Sequence, residues 1–213
     1  MDWDWVARNW PDVVSMLGDH LVLSLVPVVA GVCIAVPLGI ACVRWPRIYP
    51  FVLVISIALF TIPSVALFIF ILPFTGISRL TAIIPLSLYT VSLLVRSVVD
   101  GMRSVDESVR QVAAAMGYRG LHRIVSVDLP IAVPVILGGL RVVTVANIGM
   151  VAVASVIGIP SLGDLFVDGT QRFFATPIVL GIILIAGLAA VIDLVLVATQ
   201  RKLSPWARRR RTA

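Results

Sequence analysis

The chain has 213 residues, of which 60% are hydrophobic and 13% are charged, and its formal net charge is +6. Soluble domains are about 45–50% apolar and about 25% charged, so a soluble fold of this length could not bury so much apolar surface. The positive charges lie between apolar runs and at the C-terminus, which is typical of membrane topology and not of a nucleic-acid-binding face. The composition therefore predicts an all-α, polytopic membrane protein with no nucleic-acid partner.

The first eighteen residues contain Trp3, Trp5 and Trp10. Tryptophan prefers the headgroup zone of a bilayer, so we expect a short interfacial helix that lies on the membrane. Aspartates dominate this region, which excludes the basic start of a signal peptide. Trp45 and Trp206 are expected to mark the opposite interface.

Five apolar segments are long enough to cross a bilayer, which takes about 20 residues of helix. They run over residues 21–43, 49–74, 80–99, 131–157 and 177–199. Prolines recur inside them, which membrane helices tolerate because neighbouring helices satisfy the freed carbonyl groups. No polar linker interrupts the pattern, so we expect one transmembrane domain over residues 1–213.

The distribution of Lys and Arg predicts the orientation. Only Arg8, Arg79 and Arg172 fall on the side of the N-terminus. The opposite side has Arg44, Arg47, Arg103, Arg110, Arg119, Arg123, Arg201, Lys202 and Arg208–Arg211. Because cytoplasmic loops are enriched in Lys and Arg, we expect the N-terminus outside and the C-terminus in the cytoplasm, and the membrane is expected to be the cell membrane.

The longest polar connection, residues 101–129, is predicted to be cytoplasmic. Ser104 followed by Glu107 has the spacing of a capping box, which satisfies the free amides of a starting helix. Apolar residues then recur at helical spacing, and Gly117 fits a helix C-terminus. We therefore expect a short amphipathic helix over residues 104–118, which either docks on a partner protein or lies on lipid.

The loop resembles the EAA loop of ABC importer permeases. The resemblance rests on the run from Gln111 to Gly117 and on Val127-Asp128-Leu129-Pro130, which keep the spacing of that motif, with Gln111 in place of its Glu and Val112 in place of its first Ala. It implies a type I permease whose loop helix seats in a groove of a separate ATPase subunit. The residues implied in this coupling are Gln111, Ala113, Ala114, Met116, Gly117, Leu129 and Pro130.

Further stretches are similar to permeases of glycine betaine, carnitine and choline importers. They are His20–Leu25, Thr61–Ser64, Leu88–Val91, Leu94–Arg96, Ile159–Leu165 and Leu203–Trp206. The resemblance implies a quaternary-amine osmoprotectant (glycine betaine, choline, carnitine or proline betaine), an extracytoplasmic binding protein, and a second permease subunit, identical or a sister chain. Methionine importer permeases share the size and a similar Gly-Leu-Gly-Asp-Leu stretch, so another small solute is the alternative.

The chain has no phosphate-binding loop, since its one lysine, Lys202, follows no glycine-rich turn. We therefore expect ATP hydrolysis on a partner, and no enzymatic activity, cofactor or metal here. His20 and His122 are predicted on opposite sides of the membrane, as ordinary interfacial residues. A secondary transporter or channel module is a further alternative, but such proteins usually show internal repeats.

Ionisable groups inside spans are costly and usually paired. Arg96 has Asp100 one turn on, and we expect a local pair. Arg141 and Asp193 are expected at similar depth and could pair across two helices, or each could reach the inner surface separately. Candidates for the translocation path are Thr61, Pro63, Ser64 and Asn147, and the outer loop over residues 158–174 is a candidate docking surface for the binding protein.

Overall fold

A computed structural model describes residues 1–205. Helices account for nearly all of this range, and no strand occurs within it. They are α1 (Trp3–Arg44), α2 (Tyr49–Thr61), α3 (Ser64–Thr75), α4 (Arg79–Arg103), α5 (Glu107–Ala115), α6 (Gly120–Arg123), α7 (Leu129–Val151), α8 (Asp164–Gln171) and α9 (Ala175–Leu203). The all-α, polytopic prediction is confirmed; Trp206 and Arg208–Arg211 lie outside the described residues.

Four of the helical stretches are long and apolar enough to cross a membrane: α1, α4, the continuous stretch from α6 to Ile157, and α9. The bent pair of α2 and α3 makes a fifth if it counts as one span. We call the end of the bundle that carries α5 the α5 end, and the opposite end, with the N-terminus and α8, the α8 end.

The prediction of a separate N-terminal interfacial helix is wrong, because α1 runs without interruption over 42 residues. Asp2 caps it by accepting a hydrogen bond from the Trp5 amide at 3.0 Å. At about 1.5 Å per residue the helix is far longer than the bilayer core is thick. The first turns of α1 pack against the rest of the protein, because Val13 is buried against Leu162, Leu165 and Leu180 of the α8 end.

The second predicted span, residues 49–74, is not one straight helix. It breaks at Ile62 and Pro63, and α2 and α3 meet at 93°. Proline lacks an amide hydrogen and disfavours helical geometry in the residue before it, and Ile62 is extended (φ −67°, ψ 127°). The Tyr89 hydroxyl donates to the freed Ile62 carbonyl at 2.7 Å, so α4 stabilises the break.

α4 is the centre of the bundle and packs on α1, α2, α3 and α7. Gly31, Ala35 and Gly39 form a stripe of small residues along α1. A side chain at Gly31 would collide with Thr90, and one at Gly39 with Val98. The stripe thus allows α1 and α4 to approach closely, as small residues do in membrane helix pairs.

The fourth span is part of a longer helical rod over residues 120–157. α6 leads through a π turn (Ile124–Asp128) into α7, and a 3₁₀ turn (Ala152–Ile157) follows. At that second transition the Ala152 amide bonds to Met150, and the Ile148 carbonyl instead bonds His20 Nε2 at 2.9 Å. His20 is therefore a fully buried link between α1 and α7, which corrects its prediction as an interfacial residue.

α5 is shorter than predicted, and the capping box is wrong. α4 continues to Arg103, so the Ser104 hydroxyl is used at the end of that helix, where it donates to the Gly101 carbonyl at 2.8 Å. Asp106 caps α5 instead, accepting from the Ser108 amide at 2.9 Å. The predicted end at Gly117 is confirmed by its φ of +91°.

Candidate functional site

The exposed surface of α5 is the first part of the candidate site. Gln111, Ala114, Met116 and Gly117 of the predicted coupling set are exposed, as is Pro130. Leu129 is half-buried. Ala113 is only 2% exposed and packs against its own chain, but it still lines the groove between α5 and the π turn, so its place in the coupling set stays a prediction.

Val112 and Met116 give this surface its apolar character. They lie one turn apart on α5 and are 59% and 66% exposed. With Ser108, Val109 and Val127 they line an open groove of about 250 Å³ between α5 and the π turn. Val112 replaces the first alanine of the motif and was not among the predicted coupling residues, although its helical spacing from Met116 was the available signal.

Beneath the exposed surface, a buried carboxylate joins the elements of the loop. Asp128 is 1% exposed and is the last residue of the π turn. Its Oδ1 lies 3.7 Å from Nε of Arg110 on α5, and its Oδ2 lies 3.5 Å from Nε of Arg123 on α6. Asp128 was not among the predicted site residues, though a carboxylate at the start of an apolar span was a usable signal.

The predicted path candidates fall in two places. Thr61, Pro63 and Ser64 lie at the break between α2 and α3, where Thr61 and Pro63 are exposed. The prediction for Asn147 is wrong, because it is buried at 1% exposure and donates to Thr90 Oγ1 at 2.9 Å. It links α4 to α7 inside the bundle and therefore cannot face a path on the bundle surface.

A groove of about 190 Å³ runs from the break toward the α5 end, between α2 and α4. Its polar lining comes from Ser56, Thr61, Ser92 and Arg96. The Arg96 guanidinium lies near its neighbour on the same helix, with Nε 3.7 Å from Asp100 Oδ2. The break and this groove place polar groups along one exposed side of α2.

Arg141 and Asp193 are brought together across α7 and α9. Arg141 Nε donates to Asp193 Oδ1 and Nη2 donates to Oδ2, each at 2.7 Å. The fork-shaped guanidinium and the carboxylate thus form a bidentate pair, the geometry in which such pairs are strongest. The pair lies on the wall of an open groove of about 500 Å³ on the surface of the two helices.

The α8 end has a different surface. α8 itself was not predicted, and it packs between the first turns of α1 and the start of α9. A crevice of about 290 Å³ lies between α1 and α8 and is lined by Trp5, Asp12, Asp164, Asp168 and Arg172, among others. The loop predicted as a docking surface, residues 158–174, therefore contains a folded helix beside an acidic crevice.

Comparison with known proteins places these features in a family. Residues 28–209 match the family described as the inner membrane component of binding-protein-dependent transport systems. The chain belongs to this permease family. Three similar proteins support the assignment. The permease is 33% identical to the glycine betaine/carnitine/choline transport system permease protein OpuCB of Bacillus subtilis (strain 168) over 94% of its own length and 92% of the relative's.

The carnitine transport permease protein OpuCB of Listeria monocytogenes is 35% identical over the same shares of the two chains. The choline transport system permease protein OpuBB of Bacillus subtilis (strain 168) is 33% identical, again over 94% of this permease and 92% of the relative. The resemblance that the loop motif suggested is confirmed, and the protein is a multi-pass membrane permease.

The fold of the permease is also known from solved structures. A chain of the MetNI methionine ABC transporter in an inward-facing conformation superposes with a TM-score of 0.81 and 21% identity. The match covers 90% of the permease and 95% of that chain. At this identity the likeness shows the shared fold and carries no information about substrate.

Proposed function

We propose that this permease forms the translocation path of an ABC importer for quaternary-amine osmoprotectants such as glycine betaine, carnitine, choline or proline betaine. The substrate class is supported by the three relatives, each named for one or more of these compounds and matched over more than nine tenths of its length. A second permease subunit completes the path, and a separate binding protein delivers the substrate at the α8 end.

The energy comes from a separate ATPase that docks on α5 at the cytoplasmic face. The single observation that carries this part of the proposal is the exposed apolar stripe of Val112 and Met116. Large apolar side chains that project from a short polar loop helix suit insertion into a groove of another protein. The exposed Gln111 and Gly117 extend the same surface, and Pro130 begins the neighbouring span.

The docking surface is tested by replacing Val112 and Met116 with Glu, singly and together. The permease is purified from source membranes by an affinity tag, and the ATPase is identified by its phosphate-binding loop in mass spectrometry and by ATP hydrolysis. We expect the ATPase to be lost from the double variant. Phe173→Glu is the matched control, since Phe173 is an exposed aromatic at the α8 end, and it should retain the ATPase.

The substrate class is tested by uptake into proteoliposomes that contain the purified complex and its binding protein. We expect ATP-dependent uptake of glycine betaine, carnitine or choline and no uptake of methionine. Uptake driven by an ion gradient without ATP would refute the mechanism, whereas ATP-dependent uptake of methionine alone would refute only the substrate class.

A further inference from the structure

Arg110 connects α5 to both of the spans that flank the loop. Its Nη2 donates to the Met102 carbonyl at 2.7 Å, at the end of α4 where the carbonyl dipoles favour a cation. Its Nε faces the buried carboxylate of Asp128, at the base of α7. One guanidinium on α5 therefore contacts the last turn of one span and the first turn of the next.

The π turn explains why Asp128 can face a second arginine. Residues five apart in an α-helix lie about 140° apart around the axis, so Arg123 and Asp128 would point away from each other. The i→i+5 bonding of a π turn, seen here between the Leu129 amide and the Ile124 carbonyl, brings them to one side. Because the same carboxylate also faces Arg110, the local irregularity places α5, α6 and α7 around one charge.

Stability alone is a poor explanation for this arrangement. Within residues 1–205 neither oxygen of Asp128 accepts a hydrogen bond of good geometry, and the two ion pairs are long at 3.5 and 3.7 Å. A buried carboxylate in loose ion pairs recovers little of its desolvation cost, and apolar replacements of such groups are often as stable. What the charge does provide is a fixed position for α5 relative to the spans.

We propose that Asp128, acting through Arg110, is the positioning residue that makes α5 move as one body with α4 and α7. This inference rests on the proposed docking of an ATPase on α5. Force applied to the exposed stripe reaches the spans only if α5 cannot tilt independently. Without the carboxylate, α5 still presents Val112 and Met116 to the ATPase, but it tilts relative to α4 and α7, and its movement does not reach the spans.

The test compares Asp128→Asn with Glu107→Gln in the complete reconstituted transporter, with glycine betaine as the substrate. Glu107 is the matched control because it also pairs with Arg110, at 3.4 Å, but is 69% exposed. We expect Asp128→Asn to retain the ATPase and to hydrolyse ATP within about twofold of the parent. The number of glycine betaine molecules imported per ATP should fall about tenfold or more, whereas Glu107→Gln should leave it unchanged.

Two more variants guard against simple misfolding of Asp128→Asn. Arg110→Gln removes the other side of the link, and the double variant removes both charges at once. If the two residues act through one contact, the double variant loses no more coupling than Asp128→Asn alone. Losses that multiply in the double variant would overturn the proposal.

Hydrogen exchange of the peptide over residues 107–118 gives a readout that does not depend on transport. In the purified chain, Asp128→Asn should speed exchange in α5 and Glu107→Gln should not. If the parent transporter does not import glycine betaine, faster exchange in Asp128→Asn would still support the link between Asp128 and Arg110, and it would exclude glycine betaine as the substrate. If Asp128→Asn leaves the exchange of residues 107–118 unchanged, or leaves the number of glycine betaine molecules imported per ATP unchanged, the proposed link through Arg110 is wrong.

Discussion

Gly117 shows at the residue scale how α5 is ended. The Gly117 amide bonds to the Ala114 carbonyl at 3.1 Å and the Tyr118 amide to the Ala113 carbonyl at 3.0 Å, the pair of bonds of a Schellman motif. The motif needs a left-handed residue, and Gly117 has a φ of +91°. A side chain there would meet no neighbouring atom, so backbone conformation alone selects glycine.

Gly117→Ala should therefore loosen the end of α5 by about 1–2 kcal/mol, the usual cost of a left-handed non-glycine residue. We expect weaker retention of the ATPase during purification and faster hydrogen exchange in residues 107–118. Gly138→Ala, in the helical interior of α7 with open space around it, is the control. Equal retention of the ATPase in the two variants would contradict the role of this cap.

The ion pair of Arg141 and Asp193 predicts the order in which the two single variants and the double variant melt. An unpaired charge in a membrane span is costly, so Arg141→Gln and Asp193→Asn should each lower the melting temperature in nanodiscs. The double variant should melt above either single variant, because it leaves no unpaired charge.

Arg172→Gln provides the comparison for that pair. Arg172 lies 2.7 Å from Asp168 on α8, but its side chain is largely exposed, and exposed pairs contribute little to stability. We expect Arg172→Gln to melt at the same temperature as the parent protein. A double variant of Arg141 and Asp193 that melts below both single variants would show that the pair itself, and not the avoidance of a lone charge, stabilises α7 against α9.

Which residues of the site could be predicted depended on the kind of information each required. The backbone pattern at Gly117 is local and is visible in the sequence. The burial of Ala113 and Asn147 depends on which face of a helix meets its neighbour. α7, which carries Asn147, is almost wholly apolar and shows no polar face that would reveal it. On α5 the apolar Val112 and Met116 face outward, so its apolar spacing does not single out Ala113. The position of Asp128 before an apolar span was visible in the sequence, but its partners were not, because they come from α5 and α6 and no spacing in the sequence signals the π turn that brings them together.

At the scale of elements, the packing of α1 on α4 depends on the stripe of small residues. A methyl group at Gly31 would enter the space of the Thr90 side chain. Gly31→Ala should therefore force the two helices apart and destabilise the protein by about 1–3 kcal/mol. Thermal unfolding in detergent, followed by intrinsic tryptophan fluorescence, measures the loss.

Gly187→Ala is the matched control for Gly31→Ala. Gly187 lies inside α9, and a methyl group there would meet no atom within 4 Å. Because alanine favours a helix over glycine by up to about 1 kcal/mol, the control should be neutral or slightly stabilising. Equal losses at the two positions would show that close approach of α1 and α4 is not what Gly31 provides.

The elements themselves were predictable where hydrophobic length was the whole signal. The apolar runs identified α4, α7 and α9, and the loop pattern identified α5. The unbroken length of α1 was not predictable, because its first turns are held by α8, which is distant in sequence. The bend between α2 and α3, which is 93°, was visible only as a proline, because the Tyr89 hydroxyl that binds the freed carbonyl comes from α4 and no local pattern reveals it.

At the scale of the whole molecule, the two ends of the bundle have opposite surfaces. The α8 end has the acidic crevice of Asp12, Asp164 and Asp168. The α5 end has the exposed apolar stripe and the arginines around Asp128. The proposed function requires that these ends face opposite compartments, with the α5 end in the cytoplasm, where ATP is available.

Cysteine labelling tests this orientation in whole cells. Gln171→Cys places a thiol on an exposed residue at the end of α8, and Arg47→Cys places one in the exposed turn between α1 and α2 at the α5 end. Both are made in a Cys33→Ser, Cys42→Ala background, because Cys33 is itself exposed. A maleimide that cannot cross the membrane should label Gln171→Cys in intact cells, and Arg47→Cys only after the cells are permeabilised.

The labelling result bears directly on the mechanism, because cytoplasmic loops are enriched in Lys and Arg and the α5 end carries most of these residues. The cysteine-free background should remain unlabelled, and permeabilised cells should label both variants equally, which controls for thiol reactivity. Labelling of Arg47→Cys from outside, with Gln171→Cys protected, would place α5 beyond the reach of a cytoplasmic ATPase. The stripe of Val112 and Met116 would then need a different partner, and the proposed coupling through Arg110 and Asp128 would fail with it.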